Sequence, residues 1–343
     1  MTGRGGGLGG RRDPAADPRD GSARHGPPSR PAPERSRHPG SGRTPVRTNR
    51  KADVMTPTVV VGYDESPASE LALEEAAEEA ERRSAALAVV HAYRSLPPVP
   101  PPFEPVAGHP MRDAAMRTTE QAADRIRGDH PGLTVQTRAV PGLAGIALAE
   151  ASTDADLLVV GHRGHGGFPG LGLGSVALRA AAHSSVPTLV VRGGRRRPRG
   201  MVLAAVDIED AAAGSDEILG FAFAEAAQRG AELKAISAWE ILWPRAYFGD
   251  TGQLRRAADL ARERADAGLA GLVRPWRDKY PDVVTEHKLA DGEPSTVLVH
   301  ATTYADLVVV GARRREDRGA RLGPIVHTLL RHADCPVAVV PHS

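Results

Sequence analysis

The stretch Asp-Ala-Asp-Leu-Leu-Val-Val-Gly at residues 154–161 recurs at 304–311 as Tyr-Ala-Asp-Leu-Val-Val-Val-Gly. Two further segments repeat at a similar offset: 186–192 at 335–341 and, more loosely, 59–64 at 202–207. Self-similarity at a fixed offset is the signature of a duplicated unit. The sequence therefore predicts two copies of one module, at 55–194 and 201–343, joined by an exposed Gly/Arg/Pro-rich linker at 195–200.

Each copy alternates short apolar runs with longer helical patterns. The runs are rich in Val and Leu, which is typical of strands buried on both faces of a parallel sheet. Ser66 followed by Pro67 marks a helix start, because serine caps helix N-termini and proline is favoured at the first helical position. The order β-α-β-α-β-α-β-α-β predicts right-handed crossovers and a parallel sheet with helices on both faces, an α/β fold. The predicted strands are 59–61, 87–90, 135–140, 157–160 and 188–191, then 201–206, 232–238, 283–289, 306–310 and 336–340; the predicted helices are 66–83, 113–127, 144–152 and 175–183, then 213–229, 253–278, 294–303 and 324–333.

Two insertions separate the repeated elements. Residues 94–112 contain seven prolines, which exclude a helix or an inner strand and predict a polyproline-like surface loop. Residues 240–252 carry Trp243, Tyr247 and Phe248, aromatic side chains that either form a contact surface or pack onto their own module.

Composition excludes several classes of protein. The 343 residues hold one cysteine, Cys335, so no disulfide can form within the chain, and a reducing, cytoplasmic location is expected. No apolar run approaches the roughly 20 residues of a membrane helix. Residues 1–54 hold 12 basic against 5 acidic residues, whereas the rest of the chain has 32 against 37. The mildly acidic body argues against nucleic-acid binding by the folded part.

The basic leader at 1–54 contains 10 Gly and 8 Pro with almost no large apolar residues, so it is predicted to be disordered. A basic arm that touches nucleic acid or acidic lipid is one interpretation. The other is an extension upstream of the natural start, because Met55 directly precedes the first strand pattern.

The glycine-rich stretch at 161–175 is the candidate functional loop. It follows the predicted strand 157–160 and precedes a helix, which is where anions bind in open parallel sheets. Gly161 and Gly164 would let backbone N–H groups approach phosphate, and Gly174 and Ser175 would present a helix N-terminus and a hydroxyl. The four lysines of the chain all lie elsewhere and none follows a glycine, so a Walker A loop is excluded. Main-chain amides would have to hold the charge, helped by Arg163 or a magnesium ion.

The spacing Gly161-x2-Gly164-x9-Gly174-Ser175 matches the nucleotide-binding signature G-2x-G-9x-G-[ST] of the universal stress protein family at every fixed position. The chain from residue 55 onward resembles a tandem member of this family. The resemblance implies two doubly wound modules, each a five-stranded parallel sheet in the order 3-2-1-4-5, that pair through their last strands. It also implies an adenine nucleotide, ATP with magnesium, as the ligand. A homodimer of the chain is expected.

The resemblance also assigns roles to single residues. Asp64 would contact the adenosine part of ATP, and Ala92 would meet adenine through its backbone. The ribose and phosphates would be held by Gly161, Gly164, Gly174, Ser175 and Val176. Two plainer interpretations stay open: Asp64 caps the following helix, and Val140, a weaker candidate for lining the base, belongs to the core.

The second module departs from the signature. Gly311 is kept, but Arg314 stands at the second glycine position and Pro324 replaces the Ser/Thr. Proline removes an N–H donor and the hydroxyl together, so weak or absent ATP binding is expected in this copy. Asp207 is retained, and the arginines at 313–315 either bind another anion or form a solvated loop.

Three functions remain open. The first is an ATP-binding stress or regulatory protein with little or no catalysis and no catalytic or metal-binding residues. The second is an ATP-using enzyme of the related adenine-nucleotide α-hydrolase-like group, although residues 55–197 contain no lysine and the chain has no G-x-S-x-G or H-E-x-x-H motif. The third is a dimerisation scaffold that binds no nucleotide. His162 and His165 are interpreted as variable positions of the loop rather than metal ligands.

Overall fold

The structure is a computed structural model that describes residues 56–94, 110–165, 172–194, 197–208, 214–240, 251–314 and 322–343. The leader at 1–54, most of the proline-rich insertion, the three aromatic residues of the second insertion and the middle of the glycine loop lie outside the described residues. The predictions made for those segments therefore stay predictions.

Within the described ranges each copy forms the predicted alternation of strands and helices. The first copy contains β1 (Thr58–Gly62), α1 (Pro67–Arg82), β2 (Ala86–Tyr93), α2 (Pro110–Asp129), β3 (Val135–Pro141), α3 (Ala144–Ala151), β4 (Leu157–Gly161), α4 (Ser175–His183) and β5 (Thr188–Val191). The second contains β6 (Met201–Ala205), α5 (Ser215–Arg229), β7 (Glu232–Trp239), α6 (Thr251–Lys279), β8 (Thr285–Asp291), α7 (Pro294–Thr302), β9 (Leu307–Arg313), α8 (Pro324–His332) and β10 (Val337–His342).

The strands form one continuous sheet in the order β3-β2-β1-β4-β5-β10-β9-β6-β7-β8. Counted within its own copy, each half has the order 3-2-1-4-5, and neighbouring strands within a half are parallel. The halves meet where β5 and β10 pair antiparallel, with Leu189 opposite Ala338. The α/β fold and the pairing of the copies through their last strands are confirmed, and the two predicted five-stranded sheets are halves of a single sheet.

The core lies on both faces of this sheet. Val59 and Val61 of β1 pack in the apolar cluster that also contains residues of α1, α2, α5 and α6. Val60 points to the opposite face and packs with residues of α3, α4, α7 and α8. Because successive side chains of a strand alternate between faces, both faces of the central strands must be apolar. This explains why the strand sequences read as unbroken Val and Leu runs.

Some boundaries differ from the sequence-based prediction. Helix α2 begins at Pro110, inside the segment predicted to be a loop, because proline fits the first turn of a helix where its missing N–H is not needed. Strand β9 continues to Arg313, beyond the predicted end at residue 310. It does so because β10 also continues, and His342 pairs with Arg313 at its end.

A cluster of buried charges joins the C-terminal ends of α1 and α5. Within the helices, Arg83 Nε lies 3.1 Å from Glu79 Oε2 and Arg229 Nε lies 2.9 Å from Glu225 Oε2. Across the two copies, Arg83 pairs with Glu225 and Arg229 pairs with Glu79. Burial raises the pKa of Glu79, but Arg229, Arg82 and Arg83 outweigh it and hold that pKa below its usual value. The charges therefore alternate around a closed ring that ties one copy to the other.

The thiol of Cys335 is buried beside β10, and burial raises its pKa to about 12. Since the thiolate is the reactive form, native Cys335 is expected to react with a disulfide reagent at pH 8 at least about 100-fold more slowly than a free thiol. The measurement is the labelling rate in native buffer, with the same chain in guanidinium as the control. Equal rates in the two conditions would show that the thiol is accessible in the folded protein.

Among the described residues, every helix is too short or too polar to cross a membrane.

Candidate functional site

The candidate site lies at the carboxyl ends of β1, β2 and β4. Strands β1 and β4 are neighbours, and the helices that follow them cover opposite faces of the sheet. This arrangement leaves a crevice at the switch point of an open parallel sheet. The crevice is a cavity of about 310 Å³, at the lower end of the range for small-molecule sites. All seven predicted site residues line it: Asp64, Ala92, Gly161, Gly164, Gly174, Ser175 and Val176.

Asp64 follows β1 and is held by the start of α1. Its Oδ1 accepts hydrogen bonds from Ser66 Oγ at 2.5 Å and Ser66 N at 3.1 Å. Ser66 is the residue that caps α1, because its side chain accepts a hydrogen bond from Ser69 N, so the interpretation of Asp64 as the cap is wrong. Asp64 instead holds the capping serine. Burial raises the pKa of Asp64, but hydrogen bonds from Ser66 and Ser69 and the charge of His165 hold it below its ordinary value. The carboxylate is therefore ionised at neutral pH, with Oδ2 turned toward the glycine loop.

Close packing within the protein requires a glycine at Gly161 and leaves little room for a larger residue at Gly164 and Gly174. A Cβ atom at Gly161 would lie 2.5 Å from the carbonyl oxygen of Ala68 in α1, and one at Gly164 would lie 2.5 Å from Asp64 Oδ2. A Cβ atom at Gly174 would lie 3.2 Å from the carbonyl oxygen of His162, to which Gly174 N donates at 2.7 Å. The absence of a side chain lets Gly161 pack against α1 and lets Gly164 pack against Asp64. It also lets the two ends of the loop contact each other at Gly174 and His162. From the sequence, Gly161 and Gly164 were predicted only to let backbone N–H groups approach a ligand.

The loop leads directly into the N-terminus of α4, which faces the cavity. Gly174 is the cap residue, without a side-chain hydrogen bond, and the first intrahelical bond is from Leu178 N to Gly174 O at 3.2 Å. The N–H groups of Ser175, Val176 and Ala177 therefore have no partner within the helix. Together with the helix dipole they form a place that favours negative charge. Ser175 is exposed, so its hydroxyl is accessible from the crevice.

An arginine and a histidine side chain stand beside this helix start. Arg163 lines the cavity, and its Nε is buried without a hydrogen-bond partner among the described residues. His165 also lines it, with Nδ1 3.8 Å from Asp64 Oδ2. The described residues contain no group of three or more His, Cys, Asp or Glu side chains placed to hold a metal ion. The orphaned Arg163 Nε and the unpaired N–H groups fit an anionic group.

The opposite wall of the cavity is apolar and contains residues that the sequence analysis missed. Val90 lies before Ala92 in β2, and Leu148 reaches the cavity from α3. His91 also lines it, and its Nδ1 donates to the Tyr63 carbonyl oxygen at 2.8 Å. For Val90 and His91, the position near the end of the buried strand β2 was the available signal. Val140 packs against the apolar residues beneath α3 and α4, as its core interpretation predicted.

The corresponding place in the second copy is built differently. Where the first copy leaves the sheet at Gly161, β9 continues past Gly311, and Arg314 N donates to the His342 carbonyl oxygen at 2.8 Å. A Cβ atom at Gly311 would lie 3.0 Å from the His342 ring. Pro324 occupies the first position of α8, so the N–H that Ser175 offers in α4 has no equivalent.

Comparison with known proteins agrees with this architecture. Residues 55–192 and 200–341 each match the universal stress protein family. The fold and the crevice define a tandem, doubly wound α/β protein with a glycine-loop cleft in its first half. The chain belongs to the universal stress protein family.

Three relatives illustrate the similarity. Universal stress protein Rv2623 of Mycobacterium tuberculosis is 32% identical over 303 residues, covering 83% of this chain and 96% of the relative. A universal stress protein structure from Archaeoglobus fulgidus covers 84% of this chain and 99% of its own, with a TM-score of 0.54 and 16% identity, and so shows the shared fold. A universal stress protein solved in complex with cAMP is 30% identical and covers 40% of this chain and 99% of its own, with a TM-score of 0.32.

Proposed function

We propose that this protein is an ATP-binding regulatory protein whose first module, residues 55–194, holds the nucleotide. Members of its family are generally regulatory or stress-related proteins rather than classical enzymes. The observation that carries the proposal is the combination of groups that line one crevice. An apolar wall, the Asp64 carboxylate beside the glycine loop, and the unpaired N–H groups of α4 with Arg163 all line it.

These three kinds of group match the three parts of an adenine nucleotide. A carboxylate accepts hydrogen bonds but repels phosphate, so Asp64 would take the ribose hydroxyls. The apolar wall around Ala92 would cover the adenine ring. The N–H groups of Ser175 and Val176 and the guanidinium of Arg163 would hold the phosphates without a lysine. Magnesium would be carried by the phosphates, since no metal cluster is present among the described residues.

We propose that the second module, residues 201–343, binds little or no ATP. Its strand β9 stays paired with β10 as far as Arg313. In the first module the equivalent strand β4 ends at Gly161, and the glycine loop leaves the sheet there. The intact cleft of the first copy and the changed path of the second predict one nucleotide per chain. A homodimer and a cytoplasmic location stay predictions from the sequence analysis.

The test is a calorimetric titration of ATP, with and without magnesium, into the full chain and a Gly164→Arg, Ser175→Pro variant. We expect one site per chain in the parent and at least about 30-fold weaker binding in the variant, because hydrogen bonds to a charged group contribute about 1.5–3 kcal/mol each. The variant should fold, since Pro324 already stands at the first position of α8 and the close contact at Gly164 is with the Asp64 side chain, which can rotate away. Titrating cAMP in parallel shows whether the triphosphate is needed.

A matched control makes the reverse change, Arg314→Gly with Pro324→Ser, in the second copy. We expect parent-like affinity and still one site, because β9 continues along β10 regardless of these side chains. Two equivalent sites in the parent, or affinity unchanged by the first variant, would contradict the assignment. Rapid multiple turnover with release of AMP and pyrophosphate would favour the enzyme alternative, and no binding of any adenine nucleotide would favour the scaffold.

A further inference from the structure

Arg192, the residue that follows β5, reaches from the first copy to the end of helix α8 in the second. Its guanidinium donates to the carbonyl oxygens of Leu330 and Arg331, with a distance of 2.7 Å to the latter. These are carbonyls of the last helical turn, which have no intrahelical partner. The cation also faces the negative end of the helix dipole. Arg192 therefore acts as a side-chain cap for α8, supplied by the other copy.

The same turn of α8 lies against the glycine loop. A Cβ atom at Gly172 would be only 3.2 Å from the Arg331 carbonyl oxygen, so the loop backbone packs directly on that turn. Two residues on, Gly174 N donates to His162 O at 2.7 Å, and His162 N donates to Val191 O at 2.9 Å, next to Arg192. The C-terminal end of the loop is thus held between the end of β4 and the last turn of α8.

The residue that makes this contact is not kept in the second copy. The sequence repeat places Pro341 where the first copy has Arg192, and proline has no side-chain donor. There the last turn of α4, at Ala182 and His183, borders a cavity of about 790 Å³ together with His342. The contact made by Arg192 therefore serves the copy that keeps the complete glycine signature.

We propose that Arg192 is a positioning residue for the nucleotide loop: by holding the last turn of α8, it lets the second module complete a site in the first. This inference rests on the proposed function of the first module. It gives the second module a role that needs no nucleotide of its own. Since the loop contacts α8 as well as the ligand, docking of α8 and binding of ATP are coupled, and linkage makes the coupling reciprocal.

The test compares Arg192→Met with Arg199→Met in the full chain. Arg199 is the matched control because Arg199 Nη1 also donates to a main-chain carbonyl in the second copy, Ala305 O at 3.0 Å, which is not a carbonyl of α8. We expect Arg192→Met to weaken ATP binding about 5- to 20-fold and Arg199→Met to change it less than about twofold. Gly172→Ala, which adds a methyl group against Arg331 O without removing any hydrogen bond, should also weaken binding.

Hydrogen exchange gives a second measurement, which would not depend on ATP if Arg192 only stabilised the fold. In the parent, ATP should slow exchange at Ala333, whose N–H donates to Leu329 O at 2.9 Å in the last turn of α8. This protection should be absent in Arg192→Met. If the parent binds ATP and Arg192→Met binds it equally well, or if both arginine variants lose affinity equally, the inference is wrong while the proposed function stands. If the parent binds no nucleotide, both are wrong.

Discussion

Replacing Arg229 with methionine is expected to lower the free energy of unfolding by about 3–5 kcal/mol, the cost of breaking a buried ion pair from one side. Arg229 lies between Glu79 and Glu225, whose side chains are 0% and 2% exposed, and pairs with both. Methionine keeps most of the apolar stem but leaves the two carboxylates buried with less positive charge nearby. The measurement is urea unfolding of the parent and the variant at pH 7.

The control is Arg127→Met, which removes the exposed pair between Arg127 Nη1 and Asp124 Oδ1 at 2.7 Å and should cost about 1 kcal/mol or less. The pH dependence gives a second check. Without Arg229, burial and mutual repulsion raise the folded-state pKa values of the two carboxyl groups above their unfolded values. A group with a raised folded-state pKa loses stability as pH rises, so the defect should be larger at pH 8 than at pH 5. Equal costs for the two variants would show that the ring is not structurally important.

Gly161→Ala is expected to lower the free energy of unfolding by about 2–3 kcal/mol in the absence of any nucleotide. The added Cβ would lie 2.5 Å from the Ala68 carbonyl oxygen and 2.6 Å from its carbonyl carbon. Both are backbone atoms of α1, which cannot rotate away as a flexible side chain could. The measurement is thermal or urea unfolding of the ligand-free chain.

The matched control is Gly128→Ala near the end of α2, where a Cβ would meet nothing within 4 Å. Alanine is favoured over glycine in a helix, so this variant should be about 0.5–1 kcal/mol more stable than the parent. The pair of variants separates two explanations of the signature. If Gly161 serves only to let a ligand approach, Gly161→Ala would leave the ligand-free protein unchanged.

Most of the fold could be predicted from the sequence because each element carries its own local signal. The buried strands read as Val and Leu runs, and Ser66-Pro67 marks the start of α1 by capping chemistry alone. The sequence predicted the ends of some strands poorly, because pairing with a neighbouring strand decides where those strands end. Strand β9 extends to Arg313 because β10 lies beside it, and nothing within residues 307–313 predicts that pairing.

The sequence predicted which residues line the candidate site, but not the contacts that hold them in place. The spacing of Gly161, Gly164 and Gly174 pointed to the loop, and the structure brings these residues to one cavity with Asp64 and Ala92. The sequence could not show that a Cβ at Gly164 would collide with Asp64, because the two residues are 100 positions apart in the chain. His91 and Leu148 were missed for the same reason.

By itself, the sequence determined the duplication, the alternation of strands and helices, and which copy keeps the glycine signature. These are properties of local composition and spacing, which hydrophobic burial and helix capping translate directly into elements. Only the tertiary structure decided that β5 and β10 pair antiparallel with Leu189 opposite Ala338, that Glu79 and Arg229 neutralise each other across the joint, and that α8 lies against the loop of the other copy. Such contacts join residues far apart in the chain, and their energies depend on distances that exist only once the two halves have packed together.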